Sequence, residues 1–366
     1  SIGPGYIRGD GEVVGISVAC DGFEGYFPFG HETGFNFPKN KVVDFFKKVC
    51  ASDNTKVFHN APYDIGWLRT LGIEVKGKIV DTMIVAPLID ENQFYYSLNG
   101  LGREYLNEGK TEAELNAAAA EWGLDPKAEM WRLPSAYVGT YATQDAVLTL
   151  KLWDYFKVEL EKQNLWNVFD LEMELLPIII EMKRVGVRVD LERAEKIKKE
   201  LITKEKNLIK SIQDQSGVKD LQLWAARSLA QVFDALKLSY LRTPTGQPSF
   251  TKAFLNNHTH PVAKMIKEAR EINKSHSTFI DSILKHEHNG RIHAEIRQLK
   301  GESGGTVTGR LSMSNPNLQQ VPARNKKIGT LIRSLFLPEE GELWCSADFS
   351  QQEPRILTHY ADLSKY

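Results

Sequence analysis

A mostly apolar run at residues 13–19 (VVGISVA) and a second at residues 25–30 (GYFPFG) read as two neighbouring strands. Asp21-Gly22 lies between them, so the chain is expected to open with a small antiparallel hairpin. Helical spacing takes over at residues 40–51, a short buried strand is expected at 56–59, and a helix at 62–71 begins on a proline, which suits a first helical position. Residues 78–90 predict a strand, VDTM, running into a helix, and residues 98–106 and 111–122 are further helical stretches. Strands alternating with helices in this way specify an α/β domain with a mixed sheet.

The pattern then changes. A long amphipathic helix is expected over residues 134–166, carrying Tyr141 and Asp145, followed by a second at 168–185 and a turn at 186–190. The domain boundary is placed near residues 170–190, with the first domain taken as 1–170 and the second as 171–366. Residues 191–215 predict a charged helix, and the turn cluster at 243–248 (TPTGQP) separates it from helices at 251–257 and 261–284. Residues 291–297 and 343–348 are strand-like. The second part is therefore expected to be mainly helical, with the start of an α+β unit at its end.

Composition adds limits. With 42% hydrophobic and 25% charged residues among 366, there is enough apolar content for ordinary globular cores. No run approaches the ~18 apolar residues of a membrane span, and the N-terminus lacks the blocks of a secretory signal. A soluble, cytoplasmic protein without membrane partners is expected. Cys20, Cys50 and Cys345 are scattered and odd in number, which predicts reduced thiols rather than disulfides or zinc ligands.

The net charge of -1 conceals two opposed halves. Residues 1–190 hold 19 Lys+Arg against 28 Asp+Glu, and residues 191–345 hold 25 against 16. An acidic half suits a site that gathers divalent cations, and a basic half suits one that tracks phosphates. Either half alone also fits an ordinary solvated surface.

Two-metal hydrolysis of a phosphodiester needs carboxylates delivered from separate elements. In Asn60-Ala61-Pro62-Tyr63-Asp64 a strand gives way to a helix, which puts Asp64 in the first helical turn. In Tyr141-Ala142-Thr143-Gln144-Asp145 the phenol and the carboxylate share one helix face. Each group has a plain structural reading as well, because an acidic residue in a first turn favours the helix dipole and a Tyr/Asp pair at this spacing is common. Their order, with the VVGIS hairpin before and the VDTM segment between, resembles the 3′–5′ proofreading exonuclease domain of family A DNA polymerases over residues 11–165. That resemblance implies a ribonuclease H-like fold. It further implies Asp64 and Asp145 as metal ligands, Tyr141 as the residue that orients water, and Asn60 as a substrate contact. The family's first motif, Asp-x-Glu on an opening strand, has no counterpart before the VGIS segment. Asp10-Gly11-Glu12 has the letters but sits in a glycine-rich turn, so the chain is expected to begin after that motif.

The second half carries a more specific resemblance to the same family. Residues 182–190 (MKRVGVRVD) resemble the entry to its polymerase domain, and Arg270, Lys274 and Ser277-Thr278-Phe279 resemble its thumb segment. Thr308-Gly309-Arg310-Leu311-Ser312 and the run from Pro316 to Arg324 resemble its TGRLSS…PNLQNIPvR block. The resemblance implies that Arg270 and Lys274 grip phosphates, and that Arg310, Asn317, Gln320 and Arg324 contact primer-template DNA; a solvated basic face is the alternative for Arg270 and Lys274. Residues 343–355 (LWCSADFSQQEPR) resemble polymerase motif A, read as a buried strand ending in Asp348. This implies Asp348 as a ligand of the catalytic Mg²⁺ ions, replaceable by Mn²⁺, and Glu353 as the gate that admits dNTPs by excluding a ribose 2′ hydroxyl. The implied function is DNA-directed DNA polymerisation with excision of single-stranded 3′ ends. The expected fragment stops before the fingers and the second palm carboxylate. Two alternatives stand beside it: a DNA-binding half of a split polymerase completed by a second chain, and a stand-alone exonuclease.

Overall fold

The computed structural model describes residues 5–109, 112–302, 304–322 and 327–363. The first strands are Gly15–Cys20 and Phe23–Pro28, antiparallel from Gly15 opposite Pro28 to Cys20 opposite Phe23. Gly22 closes the turn at φ +77°, a conformation that side chains other than glycine's resist. Strands Lys56–Phe58 and Ile79–Asp81 pair in parallel, and helix Ala61–Thr70 lies in the crossover between them.

The fold is mixed α/β in this half, as the alternation of elements predicts, but the expected single mixed sheet is two separate two-stranded ladders. Among the described residues no strand lies between them to bond to both. Helix Ser135–Lys162 contacts both ladders and links them instead. The VDTM segment is strand only as far as Asp81. There the Asp81 side chain accepts from the Met83 backbone N–H and starts helix Thr82–Ile89, so Thr82 and Met83 are helical.

Leu148, Leu152, Phe156 and Leu160 recur at i+4 along helix Ser135–Lys162 and are buried. Against them stand Val80, Val85 and Leu101, and Phe169, Met173, Leu176 and Ile180 of helix Trp166–Val185. Each such side chain removed from water is worth roughly 1.5–3 kcal/mol, so this core holds the long helix in place. The expected boundary at residue 170 falls inside helix Trp166–Val185.

The turn expected at 186–190 is a strand, Val187–Val189. It pairs antiparallel with Arg291–Ile292 on one side and Phe336–Leu337 on the other, and Glu287–His288 completes a four-stranded sheet. Its partners lie far away in sequence, so nothing local marks it. Gly186 enters the strand at φ +64°, where a Cβ would stand 2.6 Å from the Ile292 carbonyl oxygen. The remainder is mainly helical. Leu191–Ser216 runs beside Pro261–Lys274, and Leu229, Phe233, Phe250, Val262 and Ile266 form a separate core. Helix 261–284 occurs as Pro261–Lys274, a π-helical turn Ser275–Ile280, and Asp281–His286.

The segment expected as a buried strand at 343–348 is irregular and exposed: Leu343 is 92%, Trp344 61% and Phe349 82% accessible. A buried strand needs bonded neighbours and a covering layer, and the described residues provide neither here. Helix Gln352–Leu363 follows. Among the described residues no helix is long and apolar enough to cross a membrane.

Candidate active site

The parallel strands end side by side, and their C-terminal ends deliver the acidic residues. Asp81 terminates one strand and is completely buried. Its Oδ1 accepts from the backbone N–H of Asn60 and of Met83, both at 2.9 Å, and its Oδ2 accepts from that of Ala61 at 2.7 Å. A single carboxylate thereby joins the starts of two helices. Asn60 occupies the left-handed region at φ +73°, which asparagine tolerates better than most residues. This bend aims the following helix so that Asp64, in its first turn, lies within electrostatic reach of Asp81 and Asp145.

Burial pushes the Asp64 carboxyl up to about 7, and the charges of Asp81 and Asp145 raise it further toward that value. Burial likewise raises Asp81, to about 6, against the pull of its backbone N–H donors. Three carboxylates from three elements thus crowd one place without a compensating cation among the causes that set these values. Such a donor set fits a hard divalent ion, with Asp64 and Asp145 as the groups to hold it, since the oxygens of Asp81 are already engaged by the backbone. Among the described residues no group of three His, Cys, Asp or Glu side chains is disposed to chelate a metal, so these two carboxylates make a partial ligand set.

Tyr141 and Asp145 sit one turn apart on helix Ser135–Lys162, both half-buried. The Tyr141 ring also packs on the small cluster of Leu115, Ala118, Leu133 and Val138. The Asp145 backbone carbonyl accepts from Thr149 Oγ1 at 2.8 Å. Asp81 is the site residue that the sequence did not single out. Its signal was present, an Asp directly after an apolar strand and two residues before a helical N–H, which is the pattern of an N-cap. His59 was missed too. It bonds through Nδ1 to Thr82 Oγ1 (2.9 Å) and through Nε2 to the Tyr96 carbonyl oxygen (3.0 Å), tying a neighbouring loop to the strand ends.

The residues singled out in the second half are not gathered in one place. Arg270 turns inward. Its Nε and Nη1 donate to the carbonyls of Leu223 and Phe250, each at 2.8 Å, and its guanidinium lies 5.1 Å from the centre of the Trp224 ring. Lys274, one turn on, is exposed, with its ammonium 5.9 Å from the Phe279 ring. Arg310 and Glu353, both exposed, form an ion pair with each other. Asn317 caps a short 3-10 turn by accepting from the Gln319 N–H (3.1 Å), and Gln320 is exposed at the end of that turn. Asp348 is exposed in the irregular segment, and Arg324 lies outside the described residues.

Comparison with known proteins adds two matched regions. Residues 11–161 match the family described as 3′–5′ exonuclease, and residues 191–365 match the one described as DNA polymerase family A. A DNA-directed DNA polymerase of Pseudomonas phage M6 is 38% identical over all of this chain and 57% of its own length. A DNA polymerase of Salmonella phage PMBT28 is 36% identical over 96% of this chain and 61% of its own length. Among solved structures, the POL domain of Pol1 from M. smegmatis in complex with DNA primer-template and dNTP superposes with a TM-score of 0.71. It is 25% identical, over 93% of this chain and 55% of that one. The chain thus spans about three-fifths of the length of these phage relatives.

Proposed function

Since this chain belongs to the family A DNA polymerases, we propose that the protein it comes from copies primer-template DNA with dNTPs and trims mispaired single-stranded 3′ ends. The observation that carries the nuclease part is the meeting of Asp64, Asp81 and Asp145 at one buried place, where burial first and the charges of Asp81 and Asp145 second raise the Asp64 carboxyl to about 7. Asp64 and Asp145 would hold Mg²⁺, or Mn²⁺ in its place, and the ion would supply a water acidified enough to attack a phosphodiester. Asn60 presents the start of the Asp64 helix to the substrate. Tyr141 contributes a hydroxyl one turn from Asp145 that can orient the attacking water. Asp81 positions the site by fixing the helix starts.

In the polymerase region, Asp348 would take a catalytic Mg²⁺ ion, and Lys274, Asn317, Gln320 and Arg324 would contact the duplex. Arg270 commits two of its five N–H donors to carbonyls, so it would meet a phosphate through the remaining ones. Arg310 and Glu353 neutralise each other, so either must exchange partners before it meets primer or nucleotide. Leu343, Trp344, Phe349, Leu357 and Tyr360 present apolar surface that the rest of a palm, in the same chain or a second one, would cover. The cytoplasm of a bacterial or phage-infected cell is the place we assign.

Asp145→Ala in the full-length protein tests the nuclease assignment. Degradation of a single-stranded 3′ end in Mg²⁺ should fall at least 100-fold while primer extension continues. Full degradation by that variant would overturn the site.

A further inference from the structure

Beside the acidic site stands a loop that the chemistry above does not use. Between helices Thr82–Ile89 and Leu98–Leu106 the chain exposes two adjacent aromatic rings, Phe94 at 89% and Tyr95 at 71%. Single exposed aromatics are ordinary. Two together on a loop tied down around them are not, because the frame holds them out of the core at the cost of the burial either would gain.

The frame is explicit. Tyr96 is buried at 1%, and its carbonyl is held by His59, the residue before Asn60. The Tyr96 hydroxyl donates to the Glu91 carbonyl (3.3 Å), and Gln93 Nε2 donates to Tyr105 Oη (3.0 Å). Ser97 caps the next helix by accepting from the Gly100 N–H. Gly100 leaves room for Tyr95, whose Cβ would lie 2.7 Å from a Cβ at that position. From the second half of the chain, Lys300 donates to the Gln93 carbonyl (3.3 Å) and covers the Tyr96 ring at 5.7 Å. Through His59 and Thr82 this frame is bonded to the strand ends that carry Asn60 and Asp81.

We propose that Phe94 and Tyr95 form a stacking platform for the unpaired bases of a DNA strand whose 3′ end enters the site of Asp64 and Asp145. The inference rests on the nuclease reading above and adds how that site selects single strands. Bases in a duplex already stack on each other, whereas each unpaired base has a free face, and aromatic rings capture such faces with little regard to sequence. Asp90 and Glu91 on the same loop disfavour phosphates, so the grip is through bases rather than backbone.

The test uses the full-length protein in Mg²⁺ with two substrates: fluorescein-labelled oligothymidylate, and the p-nitrophenyl ester of thymidine 5′-monophosphate, which has no neighbouring bases to stack. Phe94→Ala/Tyr95→Ala should raise KM for the oligonucleotide about tenfold or more, with kcat and ester hydrolysis unchanged. Phe94→Trp should retain the wild-type KM. An unchanged oligonucleotide KM in the double alanine variant overturns the platform, as does a parallel loss of ester hydrolysis, which would mean a distorted site. If the wild type hydrolyses neither substrate, the nuclease reading fails. The platform is then decided by fluorescence anisotropy: equal oligonucleotide affinity in wild type and variant overturns it, and tenfold weaker binding by the variant supports it.

Discussion

Asp64 titrates near 7 in the folded protein and near 3.9 in an unfolded chain. Between those values the folded state holds the extra proton, so this group's contribution makes stability fall as pH rises from about 4 to about 7 and leaves it lowest above 7. Asp64→Asn removes a charge that is costly to bury. It should therefore raise Tm at pH 8, by an amount equivalent to about 2–4 kcal/mol, with the gain fading toward pH 4; an equal gain at both pH values would contradict the assigned cause. Mg²⁺ should raise the wild-type Tm more at pH 8 than at pH 5.5, since protons and cation compete for one carboxylate, and Asp64→Asn should lose that response. Asp81 shows why the site was only partly legible. Its side chain does backbone work between two helices, and that work depends on strand ends meeting in space, which residue order alone does not state. Strand-to-helix position and i, i+4 spacing are local properties and made Asp64, Tyr141 and Asp145 candidates, but their roles came from the family resemblance and not from the spacing.

At the scale of elements, local periodicity located the long helices but missed Ala226–Ala235 and Ile328–Arg333. Helix Ser135–Lys162 was expected at 134–166 and helix Leu191–Ser216 at 191–215. It failed where pairing is long-range. Val187–Val189 is too short to show alternation and is a strand only because Arg291–Ile292 and Phe336–Leu337 flank it. Residues 343–348 have the apolar character of a strand, but among the described residues no neighbours satisfy it. The same distinction separates Arg270 from Lys274, which look alike on a helix in sequence. Arg270 clasps two carbonyls and a tryptophan ring across three segments, so Arg270→Ala should destabilise this part by about 2–3 kcal/mol, chiefly through unpaired carbonyls. Urea unfolding followed by tryptophan fluorescence would measure it, and an unchanged midpoint would show that the clasp carries no weight.

Across the whole molecule, the proposed cation site lies in the acidic half and the proposed phosphate contacts in the basic half. Lys274 is proposed for the second. Lys274→Ala should leave Tm unchanged, weaken primer-template binding without sequence preference, and reduce the slope of log affinity against log salt by about 1. A variant with unaltered slope would remove Lys274 from the DNA contacts. The four-stranded sheet has a consequence for synthesis as well. Val187–Val189 leaves the ribosome roughly a hundred residues before Arg291–Ile292 and still longer before Phe336–Leu337. At about 5–20 residues per second the strand waits roughly 5–20 seconds with both edges open, and about 7–30 seconds before the second edge is paired. The exonuclease core is complete well before that interval ends. Of the two matched regions, the nascent polymerase region is therefore the one with more need of chaperones.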